Sequence, residues 1–318
     1  MPDSKSKRRD LLRNAATLVA AGNLAAQPAA LFEGFRVSTV DTAGAAIHVL
    51  AGGKGPPLLL LHGYPQTHAM WHKIAPRLAA EFTVVIPDLR GYGDSSKPAD
   101  GENHAGYSKR AMALDQVEVM KHFGFERFAV VGHDRGGRVA HRLALDHPGR
   151  VSRLAVLDIV PTYKLFHSVS KEFATAYFHW FFLIQPAPYP ETLIANSVET
   201  VLQRNFRTLM PSSVTPEAYA EYLRCFRNPA TIHATCEDYR AAASIDLEHD
   251  QADLDRKISC PLLALWGERG PMHRMFNVLN TWRERGNNVS GNDLPSGHYL
   301  AEEAPEETLA ALQAFLRS

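Results

Sequence analysis

Cysteine is scarce. The 318 residues hold three, Cys225, Cys236 and Cys260. Their odd number gives no disulfide framework and their spacing matches no metal knuckle, so they read as reduced thiols. No apolar run reaches the ~18 uninterrupted residues of a membrane span. Net charge is also missing: 34 Lys and Arg balance 34 Asp and Glu. There is no basic stripe for nucleic acid and no block of like charge for a disordered interaction tail. Internal repeats and low-complexity tracts are absent too. What remains is ordinary globular composition, 45% hydrophobic and 21% charged, in a chain long enough for one large α/β domain with an inserted piece.

The first 30 residues differ in character. Lys5 to Arg13 reads KSKRRDLLR, followed by small apolar runs at Ala15–Gly22 and Leu24–Ala30. Arg8-Arg9 with Leu11-Leu12 resembles a twin-arginine export signal, which implies a periplasmic destination. The alternative is a retained tail on a cytoplasmic protein. Either way residues 1–30 stand outside the fold.

Short runs of branched or large apolar residues recur at Leu58–Leu61, Thr83–Ile86, Phe128–Val131, Leu154–Asp158 and Leu262–Trp266. Helix-like stretches separate them, the pattern of a parallel sheet buried on both faces. The alternation stops after Ile159. From Pro161 to about Asp255 the chain is helix-like, aromatic and punctuated by proline. The sheet pattern then resumes at Ile258-Ser259-Cys260-Pro261. The expectation is an α/β core over residues 31–160 and 256–318, with a helical cap inserted at 161–255.

The chemistry centres on Gly132-His133-Asp134-Arg135-Gly136-Gly137, between the strand run Phe128–Val131 and a helical stretch from Arg138 to Asp146. This is the strand–turn–helix setting of a nucleophile elbow, with aspartate where serine is commoner. A carboxylate (unperturbed pKa ~3.9) is already charged at neutral pH. It attacks amides poorly, but it can displace a leaving group from a saturated carbon. The product is an ester on Asp134 that water must then hydrolyse.

That hydrolysis needs a base with a pKa near 7, for which histidine is suited. There are 15 histidines, so position decides. His298, in Pro295-Ser296-Gly297-His298, follows the nucleophile in the chain order this fold uses. His133 is expected to point away from the cleft, and His62, His68 and His72 are weaker candidates. An acid must orient the base. Asp158 ends the strand after the elbow strand and is preferred, since acids at carboxyl ends of strands face the crevice. Glu268 competes, but beside Arg269 it reads as a solvated ion pair. Two backbone N–H groups are needed for the oxyanion, at Arg135 and most simply at Tyr64 in His62-Gly63-Tyr64-Pro65.

Arg135 and Arg138 flank the nucleophile, Arg138 one helical turn on. Two guanidiniums exceed what one carboxylate requires, and a buried Arg without an anion is costly. The surplus points to a small anionic substrate, most simply a carboxylate, unless Arg138 pairs with a structural acid. In the cap, His179-Trp180 adds N–H donors to an aromatic run that otherwise reads as core. A departing halide needs such donors.

Taken together, these residues resemble the fluoroacetate (haloacetate) dehalogenases of the α/β-hydrolase superfamily. The resemblance runs from about Leu31 to the C-terminus. It is densest at His62–His68, Gly132–Arg138, Leu157-Asp158-Ile159, His179-Trp180, Gln185–Pro188 and Cys236–Arg240. It implies an α/β-hydrolase fold with an inserted helical cap. Asp134 would be nucleophile, His298 base and Asp158 its acid, with Arg135 and Arg138 holding the substrate carboxylate. It also implies a halide pocket of His179, Trp180 and a cap tyrosine, for which Tyr222 fits better than Tyr219. Homodimers are expected, with no cofactor and no metal. Two departures bear on substrate choice. Tyr64 stands where phenylalanine is common, and the stretch 194–213 matches poorly and lacks tryptophan.

The expected reaction is hydrolytic cleavage of the carbon–halogen bond of haloacetates or small 2-haloacids. Haloalkane dehalogenases and epoxide hydrolases share the Asp elbow, but they usually carry tryptophan where this chain has Arg135. The epoxide reading would use Tyr219, Tyr222 or Tyr239 as ring-opening acids. A small-acid binding protein would have no need of a base such as His298.

Overall fold

The computed structural model describes residues 31–206 and 213–318. The export-signal reading on residues 1–30 lies outside the described residues.

Eight strands form one sheet in the order β1-β2-β4-β3-β5-β6-β7-β8. β3 (Pro57–Leu61), β4 (Thr83–Pro87), β5 (Phe128–His133), β6 (Val151–Leu157), β7 (Leu262–Gly267) and β8 (Val289–Leu294) run parallel. β1 (Arg36–Asp41) and β2 (Ala46–Gly52) form an antiparallel hairpin that adds to β4 at one edge. The interior strands are those whose runs are continuously apolar. Leu58 to Leu61 and Val84 to Ile86 are fully buried, with helices on both faces. β1, β2 and β8 were not anticipated. In β1 only Val40 is buried, and β8 reads Val-Ser-Gly-Asn-Asp-Leu with a single buried residue. Edge strands half in solvent carry little apolar signal.

Among the described residues, all regular structure between β6 and β7 is helical, eight helices from Thr162 to Ala252. The prolines that punctuate this stretch start helices rather than break them. Pro216 and Pro229 occupy the first helical positions of Pro216–Phe226 and Pro229–Ala242. There the missing N–H is no loss. The Thr215 hydroxyl caps the first by accepting from Ala218 N, and the Asn228 side chain caps the second by accepting from Ala230 N. The second of these helices is buried along most of its length. It brings Asp238 and Tyr239 over the carboxyl end of β5.

Candidate active site

β5 ends at His133 and a helix begins at once with Asp134, which sits at φ +45°. That left-handed conformation is strained for a residue with a Cβ, and it holds the side chain at the apex of the turn. The turn is possible because a Cβ at Gly132 would collide with the Gly136 carbonyl, and one at Gly136 with the His62 carbonyl. Asp134 is 4% exposed. Its Oδ1 accepts from the Tyr64 backbone N–H at 3.0 Å. Its Oδ2 lies 4.0 Å from His298 Nε2.

His298 Nδ1 donates to Asp158 Oδ2 at 2.6 Å, so Nε2 is the nitrogen that faces Asp134. Asp158 also takes a left-handed conformation, φ +51°. Its Oδ1 accepts from Gly267 N at 3.0 Å, and its own N–H donates to Leu265 O at 2.8 Å. Two bonds to β7 thus fix the acid that fixes the base. Glu268 turns instead to Arg269, 3.5 Å away, with both side chains about half exposed. His133 Nε2 bonds the His298 backbone carbonyl at 2.8 Å and stays beneath the site. His62 accepts from Leu89 N, and His68 bonds Asp88, so both are structural.

The electrostatics suit a charged nucleophile. Burial opposes ionisation of Asp134, but His298, His133, Arg135 and Arg138 outweigh it and hold the carboxyl at about 2. Burial likewise disfavours protonation of His298. The hydrogen bond and charge of Asp158, helped by Asp134, outweigh it and raise His298 above its ordinary value.

The two arginines differ in how their charges are met. Arg135 is fully buried and its charge is matched: Nε and Nη2 donate to the Asp238 carboxylate at 2.8 Å. Lys109 and the Tyr92 hydroxyl donate to the same carboxylate. Only Nη1 of Arg135 lacks a protein partner. Arg138 carries the surplus charge. Nη1 donates to Val160 O at 2.9 Å and Thr162 Oγ1 at 3.1 Å, while Nε is buried without a partner. No described acid pairs with Arg138. Burial and the neighbouring Arg135 pull its pKa down to about 10.

Trp180 and Tyr239 pack on these guanidiniums. Arg138 lies 4.5 Å over the Trp180 ring and Arg135 4.1 Å over the Tyr239 ring. The Tyr239 ring is 5.5 Å from Trp180 and 5.8 Å from His179. The Trp180 Nε1 and the Tyr239 hydroxyl are both buried without partners. Tyr222, the tyrosine expected here, sits elsewhere. Its hydroxyl donates to Glu302 Oε1 at 3.0 Å and its ring stacks on Phe206. Tyr219 packs edge-on against Phe206 and is partly exposed. The tyrosine beside His179 and Trp180 is therefore Tyr239.

A cavity of ≈150 Å³ leads to Asp134, and Tyr64, His179 and His298 line it. Two groups of side chains, His48–His68–Asp88 and Asp100–His104–Glu237, are close enough to share a cation. Neither includes a residue of the Asp134 site.

A sequence profile described as the alpha/beta hydrolase fold matches residues 56–305. The chain belongs to the alpha/beta hydrolase fold family. A fluoroacetate dehalogenase of a Burkholderia species is 48% identical to this hydrolase over 289 residues, 90% of this chain and 95% of that protein. A soluble epoxide hydrolase of Corynebacterium sp. (strain C12) is 36% identical over 269 residues, 83% of this chain and 91% of that protein. Among solved structures, an alpha/beta hydrolase of Nostoc sp PCC 7120 is 62% identical. It superposes with a TM-score of 0.87, covering 89% of this chain and 98% of that one.

Two neighbours of the site, Asp238 and Lys109, carry no sequence signal of their own, and Tyr239 enters the sequence reading only as a ring-opening acid. The run Cys236–Arg240 stood out by resemblance, but its spacing says nothing of where the Pro229–Ala242 helix docks.

Proposed function

We propose that this hydrolase is a hydrolytic dehalogenase of haloacetates and small 2-haloacids, fluoroacetate among them. One observation carries the reading. Four buried polar atoms beside the nucleophile, Arg135 Nη1, Arg138 Nε, Trp180 Nε1 and Tyr239 Oη, have no protein partner. Buried donors are ordinarily satisfied. A cluster of unmet donors around an unpaired guanidinium suits an anion that arrives from outside. A haloacid supplies two anionic groups in turn, its carboxylate and then the departing halide.

In this mechanism Arg138 Nε and Arg135 Nη1 hold the substrate carboxylate. An Asp134 oxygen attacks the α-carbon in line, an ester bond forms, and the halide leaves with the bonding pair. His179, Trp180 Nε1–H and the Tyr239 hydroxyl receive it; burial pushes His179 down to about 3, so it acts as a neutral donor. Esterification removes the Asp134 charge, which weakens the support for a protonated His298. Neutral His298 Nε2 then takes a proton from water, and the hydroxide adds to the Asp134 carbonyl. The backbone N–H groups of Tyr64 and Arg135 face the resulting oxyanion. Collapse regenerates Asp134 and yields a 2-hydroxyacid, a proton and halide.

The epoxide relative supports a second reading, because Tyr239 could protonate an opening ring. A neutral epoxide, however, leaves Arg138 without a counter-charge. The test is fluoride release from fluoroacetate, with Asp134→Asn and a small neutral epoxide run alongside. Fluoride that disappears in the variant supports the haloacid reading. Epoxide opening without fluoride overturns it. A homodimer is part of the proposal. The cap exposes Phe178, Tyr189 and Leu193 at 40%, 58% and 47%, and these are the apolar side chains it offers to a second copy.

A further inference from the structure

The mouth of the Asp134 cavity holds a cation that the reaction above does not use. Arg204 and Asn205, near the end of the helix Val198–Phe206, line the same cavity as Asp134, His179 and His298. The Arg204 guanidinium rests 4.2 Å over the ring of Phe178. A cation–π contact locates a guanidinium without neutralising it. None of the described carboxylates forms an ion pair with Arg204. Asn205 Nδ2 donates to Val201 O at 2.8 Å, which leaves the second hydrogen of its amide free for a ligand.

We propose that Arg204, with Asn205, forms a second anion subsite at the cavity mouth, and that the enzyme takes short 2-halo dicarboxylates. The inference rests on the haloacid reading above. With one carboxylate on Arg138 and the α-carbon at Asp134, the rest of the substrate extends toward the mouth. There it meets a guanidinium and an amide beside Ala176 and Pro271, and the guanidinium favours a second carboxylate over an apolar tail. At ≈150 Å³ the cavity is several times the ~30 Å³ share of one water molecule. Asp134 and His298 act as before, and the product is a 2-hydroxy dicarboxylate.

The test compares 2-chlorosuccinate with 2-chlorobutyrate, which has the same carbon count but lacks the second carboxylate. Chloroacetate serves as reference for the basic reaction. Wild type should favour the diacid in kcat/KM by about tenfold, the worth of one charge-assisted hydrogen bond. Arg204→Gln should abolish that preference, mostly through KM, and leave chloroacetate within about threefold, since an exposed charge adds little at a distance. Arg204→Lys should restore part of it. Equal loss on all three acids would reduce Arg204 to general attraction of anions and overturn the subsite. So would a wild type that does not prefer the diacid while turning over chloroacetate. If no haloacid is turned over at all, the haloacid reading falls and takes this one with it.

Discussion

Glu302 is buried to 1% exposure where the cap meets the loop that follows β3. Its Oε1 accepts from the Tyr222 hydroxyl at 3.0 Å and its Oε2 from Gln66 Nε2 at 2.5 Å. Burial pushes the carboxyl up to about 8, against the pull of Tyr222, Lys73 and Gln66. In the unfolded chain it titrates near 4.5. Below that value both states hold the proton. Between the two values only the folded state does, so stability falls as pH rises and the loss is complete above about 8. Each pKa unit corresponds to about 1.4 kcal/mol, so the full window is worth at most ~5 kcal/mol. Glu302→Gln keeps the shape and removes the titration. Gln66 Oε1 is buried without a partner and can accept from the new amide. The variant should match wild type at about pH 5 and exceed it by several kcal/mol at about pH 9. Urea unfolding of both proteins across that range measures the difference, in which all other titrations cancel. A difference that does not vary with pH would refute the reasoning.

Other outcomes follow from the site. Asp238→Asn leaves Arg135 and Lys109 buried without their shared anion, and should lower stability by about 3–5 kcal/mol in chemical denaturation; an unchanged midpoint would mean the cluster is not charge-balanced by Asp238. Tyr239→Phe should slow halide release and cut kcat about tenfold or more, whereas Tyr222→Phe should act on stability with little effect on kcat. Comparing the two variants on one substrate checks the reassignment. Asp158 and the Asp134 charge both raise the His298 pKa, and His298 must be neutral to activate water, so ester hydrolysis should fail as pH falls, at a lower pH than that at which His298 titrates in the free enzyme. Asp158→Asn should move that titration downward, read by proton NMR of the imidazole.

Interior strands such as β3 and β5 were legible in the sequence because burial on both faces demands unbroken apolar runs. The edge strands β1 and β8 were not, because their many solvated positions dilute the signal. Asp134, Asp158 and His298 each lie at or just after the carboxyl end of a strand, where local chain order marks the crevice. Asp238 and Tyr239 reach the site only through the docking of a cap helix, which no local pattern encodes. For Tyr222, the choice for the halide pocket rests on resemblance alone. Helical spacing places it on a buried face, but not on which side of Phe206 that face looks. The pairing of Arg135 with Asp238 likewise joins residues 103 positions apart.

The central claim is a covalent ester on Asp134, and its most direct measurement is isotopic. The enzyme is run through many turnovers of a haloacetate in heavy-oxygen water, and the peptide containing Asp134 is then weighed. The account expects heavy oxygen in the Asp134 carboxylate as well as in the product, because water attacks the Asp134 carbonyl. Label confined to the 2-hydroxyacid, with Asp134 unlabelled, would mean that water attacks the substrate carbon directly and would contradict the ester route.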